Sequence, residues 1–203
     1  MSEAEPDVID LLAGIEKGSR LDRLRAERQQ ARDNAQKSYQ ALFAPKFPGG
    51  VTAEERYAVA AFVAGLHRDA SVLAFYMDGL AAQNASQRIA EAIKAEIMRG
   101  AADGPYGRYP RGPLTVEDEA GPVLQISEAN RRTLGVRLSA ALEHAHLLVF
   151  HPRDASPAAL QSLLDAGWST TDIVTLSQLV AFLSFQIRVV AGLRVLAASI
   201  SRA

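Results

Sequence analysis

A chain of 203 residues, 48% hydrophobic and 22% charged, is long enough to bury a large core and too apolar to be disordered throughout. Its 22 Lys and Arg against 23 Asp and Glu leave a formal net charge of -1, without the basic footprint of a dedicated nucleic-acid binder. It contains no cysteine, which excludes disulfides, zinc–thiolate and iron–sulfur centres, and thiol nucleophiles.

The opening Met1-Ser2-Glu3-Ala4-Glu5-Pro6 is acidic and lacks the basic start of a signal peptide. Leu21 to Phe43 is rich in Arg, Gln, Ala and Glu and predicts a helix, with a narrow apolar stripe of Leu24, Ala31, Ala35, Tyr39 and Leu42. Arg23–Glu27 and Asp33–Lys37 are placed to pair along its surface. Pro45, Pro48, Gly49 and Gly50 end it. Thr52 followed three residues later by Glu55 is a capping box for a second helix that runs to Gly65. Its run from Ala58 to Ala64 is small and apolar, which suits the middle of a bundle. A third helix is expected from Asp69 to Ala82, carrying Val72, Leu73, Phe75, Tyr76 and Leu80, and a fourth from Ser86 to Arg99.

Residues 100–126 interrupt the helical pattern with five glycines and four prolines. A connection this long either packs over a groove or a neighbouring subunit, or carries function. Its Tyr106, Arg108, Tyr109 and Arg111 have the chemistry to clamp an anionic ligand. Helix resumes from Ser127 to Phe150. Ser156-Pro157 opens a short helix closed at Gly167, and Ser169 to Asp172 caps a last, strongly apolar helix that reaches Ser199. The stretch Ile173 to Leu196 has the length of a membrane span, yet Gln178, Gln186, Arg188 and Arg194 interrupt it, and charge in a bilayer core is costly. It reads as the buried helix of a soluble cytoplasmic protein with no membrane partner. A helix so apolar needs cover on several faces, so oligomerisation is expected. No segment alternates as a strand does.

Two local groupings have chemical potential. Glu143 and His146 form half of a carboxylate-bridged di-metal motif, but no second half exists, which favours histidines that hydrogen-bond near a helix end. His67-Arg68-Asp69 joins two helices. Its Asp is either an N-cap or the orienting partner of a histidine base. No nucleotide-binding glycine loop or nucleophile elbow is present.

The segment Ala159 to Val174 (ALQSLLDAGWSTTDIV), with Leu179-Val180-Ala181-Phe182 and Arg188 to Leu193, resembles the closing helices of the AhpD-like, carboxymuconolactone-decarboxylase-domain proteins, above all their peroxidase-related branch. Thr52 to Leu80, with Glu54-Glu55-Arg56, resembles that family's core hairpin, and Asn34 to Phe43 is similar to a segment of the same group. The likeness spans about residues 50–198, with a gap over the long loop. It implies an all-α, AhpD-like helical bundle of residues 51–203 behind an N-terminal helical extension of residues 1–50. Active alkylhydroperoxidases of this family use a C-x-x-C pair with a Glu and a His as proton relay. Laid on this chain without gaps, the Glu falls on Tyr57, the two Cys on Asp69 and Val72, and the His on Tyr76. A sulfenic-acid cycle has no sulfur to run on here.

The resemblance therefore implies a member of the alkylhydroperoxidase superfamily without redox cysteines. Such a protein is expected to serve as a structural or regulatory component of antioxidant or oxidative catabolic metabolism, as a homo-oligomer or beside a cysteine-containing AhpD-like relative. The alternatives are a cysteine-independent acid–base decarboxylase or lactonase acting on a small carboxylic acid, and a small-molecule binding protein. His67, Asp69 and Tyr76 are the candidate catalytic residues, and Arg68, Tyr57, Tyr106 and Arg108 the candidate ligand contacts. No cofactor and no metal are implied.

Overall fold

The computed structural model describes residues 6–200; the acidic opening from Met1 to Glu5 lies outside the described residues. The architecture is all-helical, and among the described residues the only strand-like pairing is one bridge between Gly107 and Glu119. The helices are α1 (Val8–Ala13), α2 (Arg20–Ala26), α3 (Gln29–Phe43), α4 (Ala53–Leu66), α5 (Ala70–Ala82), α6 (Gln87–Arg99), α7 (Glu128–Phe150), α8 (Pro157–Asp165) and α9 (Thr170–Ile200).

The predicted helix from Leu21 to Phe43 is in fact two, α2 and α3, because Arg28 leaves the helical region at φ -119° and ψ 49°. The break lets charges pair between helices instead of along one. Arg25 meets Asp7 at 2.8 Å and also Asp10, while Arg32 meets Asp22 at 2.9 Å and also Asp10. The expected pairs Arg23–Glu27 and Asp33–Lys37 do not form. Arg23 donates to the Gly18 carbonyl, and Asp33 accepts from Gln29. The short α1, which the periodicity does not reveal, is capped by Asp7 and buries Val8 and Ile9. These two, with Ala35 and Leu42, join the same core as the rest of the chain, so the N-terminal segment is packed in rather than appended.

Helix α4 is the centre of the bundle. Ala58, Val59, Ala60, Ala61, Phe62, Val63 and Ala64 are all 0% exposed, and α5, α6, α7 and α9 pack around them. Four small side chains in this run let those helices approach closely. The Thr52–Glu55 capping box is formed in both directions. The predicted caps at Ser86, Ser127 and Ser156 each accept from the backbone N–H three residues on, and Ser169 Oγ does the same for Asp172 N. Helix α7 bends at Gly135, whose φ of 77° is open to glycine at no steric cost.

The 100–126 segment is fastened to the end of α7 along its length. Tyr106 N–H donates to the Phe150 carbonyl, the His146 ring bonds the Gly100 carbonyl, His151 Nε2 donates to the Pro122 carbonyl, and Arg108 N–H donates to Asp154. The loop thus packs against the end of α7 and the turn that follows it. Helix α9 buries Ile173, Leu176, Val180, Leu183, Ile187 and Val190 on one side. It is the one described helix long and apolar enough to cross a membrane, and only 33% of its most apolar window is buried. Within this one chain, one long face of α9 is left open.

Candidate functional site

The turn from α4 to α5 and the middle of α9 face each other across a cleft of about 1080 Å³, whose lining also includes Phe150 and Pro105. His67 ends α4, and Arg68 turns the chain at φ 59°, a left-handed conformation that is uncommon for a side-chain-bearing residue and is often found at functional turns. This turn sends the Arg68 guanidinium to the Ala102 carbonyl at 3.2 Å and the Asp103 carboxylate at 2.8 Å. From α9, Ser184, Phe185 and Arg188 complete the lining. His67 Nε2 and Ser184 Oγ share a hydrogen bond of 3.3 Å.

Burial, followed by the charge of Arg188, holds the His67 pKa below its ordinary value of 6.5, so the ring is neutral near pH 7. Arg188 forms no ion pair among the described residues. The cleft thus offers one uncompensated cation, one neutral imidazole able to donate or accept, and apolar walls from Leu148, Val180 and Val189. That combination suits a small ligand with an acidic head and an apolar body.

Of the residues singled out in the sequence, His67 and Arg68 line this cleft; the others do not. Asp69 is the α5 N-cap, accepting from Val72 N–H at 3.0 Å and Ser71 Oγ at 2.9 Å, and it pairs with Arg194 at 2.7 Å. Its pKa is lowered: burial raises it, but the bonds from Val72, Arg194 and Ser71 prevail. The suggested histidine base oriented by Asp69 is corrected accordingly, because His67 bonds Ser184 while the carboxylate is fully engaged elsewhere. Tyr76 is fully buried and donates to Gln186 Oε1 in the core, where burial raises its pKa well above 10.0.

Tyr57 lies flat on Gly79, where an added Cβ would come within 2.2 Å of its ring, and packs against Phe43. Tyr106 packs on His151, with centroids 5.2 Å apart, and Arg108 is exposed on the loop. A shared catalytic role for His67, Asp69 and Tyr76 is not what this geometry provides. The residues that sequence reasoning missed are Ser184, Phe185 and Arg188. The available signal was Arg188 itself, a charge set in an apolar run.

The Glu143–His146 half-motif is consumed by structure. Glu143 accepts from Ile126 N–H at 2.8 Å and pairs with Arg131, and His146 bonds the Gly100 carbonyl at 3.1 Å. Among the described residues no group of three His, Cys, Asp or Glu is placed to hold a metal ion. Comparison with family models, with curated proteins and with solved structures found no match in any of the three.

The buried histidines predict a pH dependence. Burial lowers the pKa of His67, His144 and His146 from 6.5; the charge of Arg188 adds to the effect at His67, and at His146 burial outweighs the opposing bond to the Gly100 carbonyl. Below 6.5 the unfolded chain then binds more protons than the folded one. Stability is therefore complete above that value and declines as pH falls toward the lower folded-state values. Urea midpoints are expected to be level from pH 7 to 8 and to drop between pH 6.5 and 5. His144→Gln, which keeps a bonding group for Ser177, is expected to flatten that drop; an unchanged slope would assign it to other groups.

Proposed function

We propose that this chain is a thiol-free AhpD-like protein with no peroxidase activity, whose α4–α9 cleft binds a small carboxylate with an apolar body. In this reading it is a structural or regulatory component of antioxidant or oxidative catabolic metabolism, working as a homo-oligomer or beside a cysteine-bearing relative. The observation that carries it is a contrast between two neighbouring places. Asp69, where the resemblance puts the first thiol, is tied into a structural ion pair with Arg194 at 2.7 Å. The neighbouring cleft instead collects His67 and Arg188, which has no ion pair among the described residues, beside an apolar wall.

The test is a binding screen of small aryl and alkyl carboxylates against their neutral amides, read by thermal shift and then titration calorimetry. Carboxylates are expected to stabilise the protein and the amides not to. Arg188→Ala is expected to weaken the best ligand at least about tenfold, the loss of one charge-assisted hydrogen bond. Equal binding of acid and amide, or robust peroxide consumption by the pure protein with a dithiol donor, overturns the proposal.

The His67–Ser184 hydrogen bond supports a second reading, acid–base chemistry on such an acid. A neutral imidazole is the form of His67 that can take a proton. Under this reading His67→Gln abolishes turnover of a bound lactone or β-keto acid while leaving its affinity within about twofold.

A further inference from the structure

The open face of α9 has a pattern that its buried face does not explain. Thr171, Val174, Gln178, Ala181, Phe185, Arg188, Gly192 and Val195 follow one another at alternating steps of three and four residues, and every one is exposed. Val174 is 56%, Phe185 49% and Val195 71% exposed, large values for apolar side chains. Steps of three and four over three heptads are the spacing of a coiled-coil seam, and contiguous exposed apolar surface marks contact with another molecule.

The order of side chains along the seam identifies that molecule. Turn a second α9 antiparallel about a twofold axis at position 183. Phe185 then meets the partner's Ala181, Val174 meets the partner's Gly192, Arg188 meets the partner's Gln178, and Thr171 meets the partner's Val195. Large faces small in the first two pairs, and a guanidinium faces a neutral amide able to accept from it in the third. Each pair recurs by symmetry, as an isologous interface requires. Parallel, in-register pairing instead sets Phe185 against the partner's Phe185, Arg188 against the partner's Arg188, and leaves a gap where Gly192 faces the partner's Gly192. Like charges opposed and voids at the seam both cost stability.

We infer that the open face of α9 is a homodimer interface formed by antiparallel pairing of α9 with the α9 of a second copy, centred between Ala181 and Phe185. The seam runs from Thr171 to Val195, roughly 36 Å of helix at 1.5 Å per residue. Ala181, Phe185 and Arg188 lie both on this seam and on the edge of the α4–α9 cleft, so the pairing borders the proposed ligand site, and light scattering and crosslinking test it without any ligand present.

The cysteine-free background makes the test clean. By light scattering the protein is expected at twice its 21.8 kDa chain mass at micromolar concentration. Val174→Glu with Gly192→Glu sets carboxylates opposite each other across the seam. Both positions are outside the cleft lining, and a Cβ at Gly192 meets nothing within 4 Å, so the variant chain is expected to keep its helical circular dichroism and run as a monomer. Under mild oxidation a mixture of Val174→Cys and Gly192→Cys chains is expected to crosslink, and neither variant alone. A monomeric wild-type protein at 100 μM overturns the inference. So does association that survives the double glutamate variant, crosslinking of Val174→Cys with itself, or a monomer that floats with phospholipid vesicles through the same face.

Discussion

Replacing Arg56 with alanine is expected to cost about 3–5 kcal/mol of folding stability, the largest effect of any single substitution considered for this protein. The side chain is only 3% exposed, inside the opening turn of the central helix. Its Nε donates to the Val51 carbonyl at 3.1 Å, its Nη1 to the Leu42 carbonyl at 2.8 Å and its Nη2 to the Pro48 carbonyl at 2.8 Å. Among the described residues no carboxylate pairs with it. Burial lowers its pKa, and the nearby charges of Glu55 and Asp172 act the other way.

The guanidinium thus does one job, satisfying three backbone acceptors that end α3 and bend the chain into α4. A buried carbonyl left without a donor costs about 1–3 kcal/mol, and two such, on Leu42 and Val51, are released together with that of the exposed Pro48. Arg56→Met fills much of the same space but donates nothing, so it is expected to lose nearly as much as alanine. Arg56→Lys keeps a charge and some of the donors and is expected to retain part of the stability. Urea unfolding with all three variants checks this. If methionine were as stable as wild type, the side chain would matter through packing alone.

The second large effect is at Glu96. Its side chain is 0% exposed at the end of α6, and it accepts four hydrogen bonds: from Ser127 N–H at 3.2 Å, Ser127 Oγ at 2.7 Å, Asn130 Nδ2 at 2.7 Å and Arg99 Nη1 at 2.6 Å. Ser127 is the N-cap of α7, so this carboxylate sits where the positive end of that helix and two polar side chains converge. Glu96→Ala is expected to cost about 3 kcal/mol, because four part-buried donor groups lose a charged, fully buried acceptor. Glu96→Gln is no rescue, since its amide turns an N–H₂ toward groups that also donate.

The same carboxylate has a pH signature. Burial raises its pKa, but the bonds from Ser127, Asn130 and Arg99 outweigh that and hold it below 4.5. Its contribution is therefore present above the unfolded value of 4.5 and is lost as pH falls through the lower folded value. Acid unfolding of Glu96→Ala is expected to lack that part of the slope below pH 4.5. An acid limb identical to the wild type would remove Glu96 from the account.

Much of the helical skeleton was legible in the residues themselves. Thr52, Ser86, Ser127 and Ser156 marked helix starts correctly, because a cap is a bond between a side chain and a backbone N–H three residues away. The small-residue run of α4 announced its central place. The break at Arg28 was not legible, since no proline or glycine marks it and what stabilises it is a set of ion pairs reaching back to Asp7 and Asp10. The site was half legible. His67 and Arg68 stood out as a polar turn between apolar helices. Ser184 and Arg188, more than a hundred residues away, had no local feature tying them to that turn.

What the sequence by itself determined is the class of chemistry open to this protein and the ends of most of its helices. An absent sulfur is absent in any fold, and a cap is satisfied by its own neighbours in the chain. Tertiary structure alone decided which polar groups work and which merely hold. Asp69, Tyr76 and Glu143 became structural because Arg194, Gln186 and Arg131 arrived beside them, and among the described residues no carboxylate arrived beside Arg188. The physical reason is that a side chain's role follows from the charges and bonding partners around it, and those partners are brought in from distant parts of the chain only when the helices pack.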